Sequence, residues 1–256
     1  MNSQSQLIEK LIVLEQELFT GRVTILTPED KQWYIYLYQG MLLWGEGGSH
    51  VYRFWQRHLN RLCPQGNIKL FEQARIKSNS NSDYYLINTL IEHKLATREQ
   101  VSSLIETRFK VIFFDLLQTE HQQPLSITNK SQSAHSLLKK NFKLNLSLLA
   151  VHLILSQAYD KWSIWKEKGL ASCSPNLAPL LKKNSNLNRQ VSPIIFQNMQ
   201  RMLDGKNTLR DLANKMDREV FDITCALVPY FFKGYIRLVE IPDFPGITLP
   251  MERSNL

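Results

Sequence analysis

The run Trp33-Tyr-Ile-Tyr-Leu-Tyr-Gln-Gly40 constrains this chain more than any other. Aromatic and apolar residues alternate through it with a period of two, the pattern of a strand that buries one face. Residues 22–27 alternate in the same way, and Pro28-Glu-Asp-Lys31 supplies the turn between the two runs. Gly40 turns the chain into a third strand over 41–44, which Gly45, Gly47 and Gly48 then break. The expectation is a three-stranded antiparallel meander. A segment dense in arginine and aromatics follows, His50-Val-Tyr-Arg53-Phe-Trp-Gln-Arg57-His-Leu-Asn-Arg61-Leu-Cys63-Pro64, and reads as a helix over 51–62.

Helical spacing organises most of the remainder. Leu7, Leu11, Leu14 and Leu18 form one stripe before the meander. After a polar loop at 77–82, residues 84–94 form one arm of a helical hairpin. Thr97 starts the second arm, with Gln100 placed for a capping box and Val101, Leu104, Ile105, Ile112 and Leu116 as its buried stripe. Residues 119–136 are polar loop with a short strand around 125–128. Residues 147–168 are apolar on more than one side: Leu148, His152, Leu155, Tyr159 and Trp162 on one, Leu149 and Leu153 on another. That pattern predicts a central helix, with His152 a hydrogen-bonded core residue. Residues 169–190, with Pro175, Pro179 and several asparagines, read as linker or long loop.

The last part is compact. A helix over 193–203 ends at Asp204-Gly205. Thr208 caps a short helix to Lys215, Asp217 caps another toward Phe232, and Gly234 precedes a strand over 235–241. Helix, short helix, helix and strand is the order of a winged helix-turn-helix with a minimal wing. The fold class is therefore α+β: a small antiparallel meander packed with helices, a helical region, and a winged-helix-like C-terminal subdomain. The expected division is 1–129, 130–190 and 191–256.

Charge and motif content narrow the function. The chain has 256 residues and a net charge of +8. The excess sits in two blocks, six basic residues against one acid over 50–77 and ten against two over 130–190. Such surfaces attract acidic partners. Three scattered cysteines, Cys63, Cys173 and Cys225, form no C-x-x-C pair, which fits a reducing, cytoplasmic setting and no metal. No signal peptide is visible, and the longest apolar run, 144–155, is shorter than the roughly 20 residues of a membrane span. The six histidines show no ligand spacing, and no nucleophile–base pair emerges, so no cofactor and no enzyme are expected.

Arg53, Arg57 and Arg61 recur every four residues and share one helix face. Arginine pairs bidentately with carboxylate or phosphate, so with His50 and Trp44 they are the candidate partner-binding residues. Phe54 and Trp55, on the other flank, are expected in the core. The Gly45-Glu-Gly-Gly48 run lacks the lysine and hydroxyl of a phosphate loop and reads as a turn. Asp217, Glu219 and Asp222 at the start of the helix that would read DNA argue against that use.

The Phe19-Thr-Gly-Arg-Val-Thr-Ile25 start, the aromatic strands, the Trp44-Gly-Glu-Gly-Gly48 turn and the arginine helix ending in Cys63-Pro64 resemble the PATAN domain. This is the N-terminal domain of cyanobacterial PatA- and PixE-type response regulators. The likeness continues in Arg98-Glu-Gln100, in Phe113-Phe-Asp-Leu-Leu-Gln118, in Leu203-Asp-Gly-Lys-Asn-Thr-Leu-Arg-Asp-Leu-Ala213 and in Phe232-Lys-Gly-Tyr-Ile-Arg-Leu-Val-Glu-Ile-Pro242. It implies a non-enzymatic regulatory module that controls type IV pilus motility and phototaxis, or heterocyst patterning. The implied protein partner is the pilus motor ATPase or a BLUF photoreceptor. Relatives carry a CheY-like receiver after this domain; too little chain follows Ile241 here for one. Two other readings stand beside it: nucleic-acid binding through the basic 130–190 block, and sensing of an anionic ligand such as a cyclic dinucleotide through the arginine helix. Self-association also stays open.

Overall fold

A computed structural model describes residues 5–62, 82–141, 148–182 and 186–243. Cys63, Pro64 and the polar run 77–81 lie outside the described residues. The chain divides into two compact units, Met1–Gly48 with Phe54–Ser172, and Ser49–Arg53 with Cys173–Leu256.

The first unit is built on the meander. Strands β1 (Gly21–Leu26), β2 (Gln32–Tyr38) and β3 (Met41–Gly47) pair antiparallel in sequence order. The glycines do not end β3 where the sequence suggested. Gly45 and Gly47 pair with Ile35 and Trp33, so the strand runs three residues further. A fourth strand, β4 (Ser126–Ser131), adds to the other edge of β1, giving the order β3-β2-β1-β4. The fold is thus α+β with a four-stranded antiparallel sheet rather than a bare meander.

Helix α1 (Gln6–Gln16) buries Leu7, Leu11 and Leu14 but ends before Leu18, which is 67% exposed. Helix α2 is Val51–Leu62 and α3 is Ser82–Glu92. The second arm, α4 (Arg98–Gln122), is the central helix, apolar over most of its circumference between Val101 and Leu117. Its Thr97–Gln100 capping box forms as expected. Gly45 lets α4 approach the sheet: a Cβ there would lie 2.9 Å from Ile112 Cδ1.

Helix α5 (Val151–Glu167) packs one face only. Ile154, Leu155, Ala158, Trp162 and Trp165 are buried, and Phe114 of α4 meets both tryptophans edge-on. The first expected side is therefore split: Leu155 and Trp162 are buried, but Leu148 and Tyr159 are 39% and 44% exposed, and Leu153 of the second side is 55% exposed. His152 is likewise exposed, not core; its Nδ1 sits 2.9 Å from Glu15 Oε1. That carboxylate also accepts the Val151 N–H at 2.9 Å, capping a helix whose own N-cap, Ala150, has no side-chain acceptor.

In the second unit, the region read as linker contains strand β5 (Ala178–Leu181) and a 3₁₀ turn (Asn186–Arg189). Helices α6 (Pro193–Met202), α7 (Leu209–Lys215) and α8 (Val220–Phe232) follow, then strand β6 (Ile236–Val239). The helix–short helix–helix–strand order matches the winged-helix expectation, with β6 pairing back onto β5. Asp217 does not cap α8; Glu219 occupies that position and Asp217 has φ +50°. One core cluster joins Leu203, Leu212 and Ile236, with Met199, Ile223, Leu227 and Tyr230 partly buried against it. Among the described residues no helix is long and apolar enough to cross a membrane.

Candidate functional site

The candidate residues separate into different environments. Arg53, the first member of the arginine stripe, belongs to the second unit and is 7% exposed. Its Nη1 donates to Asp211 Oδ2 at 2.7 Å and to the Lys206 carbonyl at 3.3 Å. Its Nε and Nη2 both donate to the Pro242 carbonyl at 3.2 Å. Asp211 is itself fixed by the Thr208 capping box of α7, whose Thr208 N–H it accepts at 3.0 Å. Asp243 completes the knot: its carboxylate accepts the Tyr52 N–H at 2.8 Å and the Arg53 N–H at 3.0 Å. A carboxylate on the first-turn amides of a helix is favoured by both hydrogen bonding and the helix dipole.

His50 joins the same knot, with Nε2 2.9 Å from the Ile241 carbonyl. Burial holds its pKa below the usual histidine value against the opposing effect of that carbonyl. His50 and Arg53 are thus brought together, but as parts of an internal fastening. The guanidinium that could have gripped a partner's carboxylate is already held by Asp211. The i, i+4, i+8 spacing does place Arg57 and Arg61 on the same helix, half-buried and exposed respectively. Both lie near His58, whose pKa is lowered to about 4 by burial first and then by Arg57, Arg61 and Arg108.

Trp44 is 1% exposed and belongs to the core of the first unit. It stacks on Trp55 with centroids 6.5 Å apart and meets Tyr84 edge-on. Phe54 and Trp55 are buried as expected. The indole of Trp44 donates to Glu46 Oε1 at 3.0 Å. Burial, and then the neighbouring Asp83 carboxylate, push Glu46 up to about 7, against the pull of Trp44, Arg108 and Arg22. Among the described residues no group of three His, Cys, Asp or Glu could hold a metal ion.

The surface that sequence reasoning passed over is at the other end of the second unit. Helix α8 is apolar through most of its 13 residues, yet only Thr224 is fully buried. Ile223, Leu227 and Tyr230 turn toward the core, while Phe231 and Phe232 remain 38% and 76% exposed. The two rings stand edge to face, 6.0 Å apart at 69°. On α6, Ile194 and Ile195 are 72% and 48% exposed. The sequence signal was the Tyr-Phe-Phe-Lys-Gly end of α8, where two aromatics sit beyond the last core-facing position.

Comparison with protein-family models, with curated proteins and with solved structures finds no match to the chain.

Proposed function

We propose that this chain is a non-enzymatic regulatory module that acts by binding another protein, and that the Phe231–Phe232 end of α8 is its docking surface. The observation that supports this reading is the exposure of that aromatic pair on a helix whose inward face is already satisfied. An apolar residue exposed singly is ordinary, but adjacent large aromatics held in a fixed geometry are the usual anchors of protein interfaces. The arginine helix is the weaker alternative, because Arg53 is committed to Asp211 and Pro242.

The finer reading follows the resemblance to the PATAN domain: a cyanobacterial response-regulator module controlling type IV pilus motility, with the pilus extension motor or a BLUF photoreceptor as partner. The test is calorimetric titration of the purified chain with each of those two proteins. Saturable binding that disappears in Phe232→Asp is expected for one of them. Binding that survives Phe232→Asp contradicts the docking surface, and binding to neither contradicts the partner.

A further inference from the structure

We infer that the segment docking at Phe231 and Phe232 is an acidic one carrying an apolar anchor; the inference rests on the protein-interaction reading of that surface. Two cations, Lys182 and Lys233, stand at the turn where α8 ends, and Arg189 lies on the preceding 3₁₀ turn. Lys233 follows Phe232 directly. Lys182 Nζ lies 3.9 Å from the place a Cβ on Gly234 would occupy, and the Lys182 N–H donates to the Tyr235 carbonyl at 2.9 Å. Arg189 adjoins Gln190, whose amide donates to the Tyr235 hydroxyl. All three cationic side chains are exposed. None of them makes an ion pair among the described residues.

Among the described residues, Asp204 bridges Leu180, two residues before Lys182, but its carboxylate accepts the Lys206 N–H and lies 3.8 Å from Lys206 Nζ. Glu219 and Asp222 sit at the opposite end of α8, about 20 Å and about 15 Å from Phe232 along the helix at 1.5 Å per residue. Glu240 follows the far end of the β5–β6 pair, where Ala178 meets Val239. The carbonyl end of α8 presents only about half a negative charge, which one lysine offsets. A net positive charge remains beside an exposed aromatic pair. A segment that inserts an apolar side chain against Phe232 and sets carboxylates over Lys182 and Lys233 satisfies both features. An uncharged or basic segment would leave the cations uncompensated or repelled.

The inference is tested with two synthetic amphipathic helical peptides that share a Leu/Phe face and differ only in carrying Glu or Lys on the polar face. Fluorescence polarisation with the full chain should show the Glu peptide binding about tenfold or more tighter, a gap of about 1.4 kcal/mol. The preference should shrink as salt shortens the Debye length from about 30 Å at 0.01 M toward 8 Å at 0.15 M. The Lys182→Glu/Lys233→Glu variant should erase or reverse it, and Phe232→Asp should remove binding of both peptides. Equal binding of the two peptides, lost in Phe232→Asp, overturns the acidic partner and leaves the docking surface standing. Binding of neither peptide overturns the inference. So does recruitment to phosphatidylserine vesicles without peptide binding, which would make the surface a membrane contact instead.

Discussion

Arg53 sits in a pocket of backbone carbonyls and one carboxylate, so its charge is satisfied inside the protein. Removing one member of a buried ion pair strands the other, which typically costs about 3–5 kcal/mol. Arg53→Ala and Asp211→Ala should each destabilise the second unit by about that much. The double variant should lose less than the sum, a coupling of at least about 1 kcal/mol in a denaturant double-mutant cycle. Additive losses would mean the pair is not coupled.

Glu46 gives a second residue-level prediction. Burial pushes its carboxyl from the usual 4.5 up to about 7, so folding favours its protonated form. That contribution to stability is full below about pH 4.5 and is lost as pH rises through 7. Glu46→Gln keeps the Trp44 hydrogen bond without the charge. It should be more stable than the parent by about 1–3 kcal/mol at pH 8 and nearly equal to it at pH 4.5. A pH-independent difference in thermal unfolding would contradict the burial of this carboxyl. Both environments were hidden in the sequence, although one half of each was visible. The Thr208–Asp211 capping box is a local pattern, but its partner Arg53 is 158 residues away. Trp44 could be read as aromatic, but not as stacked beneath Trp55.

Elements were legible where local periodicity decides the structure. The meander follows from alternation, α4 from its capping box, and α7 from Thr208. Elements that depend on distant partners were not. The outward side of α5 follows from where α4 lies, and nothing in Leu153 or Tyr159 announces it. Strand β5 was obscured by Pro179, which has no N–H to give a ladder and marks most strands as edges or loops. Its carbonyl nevertheless accepts the Gly205 N–H at 3.1 Å, and β6 pairs along its length.

Helix α2 shows the same dependence at its start. Its first-turn amides are taken by Asp243, 191 residues from Tyr52. Asp243→Ala should cost about 1 kcal/mol, as for the loss of an N-cap. It should also speed amide hydrogen exchange at Tyr52 and Arg53 selectively. Asp243→Asn, which retains an acceptor, should restore part of the protection. Unchanged exchange at both amides would contradict the cap.

Across the molecule, the net charge of +8 is not one binding face. Part of it, at Arg53, is spent internally. Part lies on the exposed side of α5 at Lys161 and Lys166, and just beyond its end at Lys168. Part rings the end of α8, where it adjoins exposed aromatics. Composition made the excess visible, but only side-chain burial separates the cation that fastens the fold from those that meet solvent. In the proposed function, docking uses the α8 end and not the arginine helix. The most direct measurement compares Phe232→Asp with Arg57→Glu/Arg61→Glu in titrations against the pilus motor and the BLUF photoreceptor, after thermal unfolding has confirmed that both variants fold. Loss of binding in Phe232→Asp with retention in the arginine variant is the predicted result. Loss in the arginine variant with retention in Phe232→Asp would contradict it.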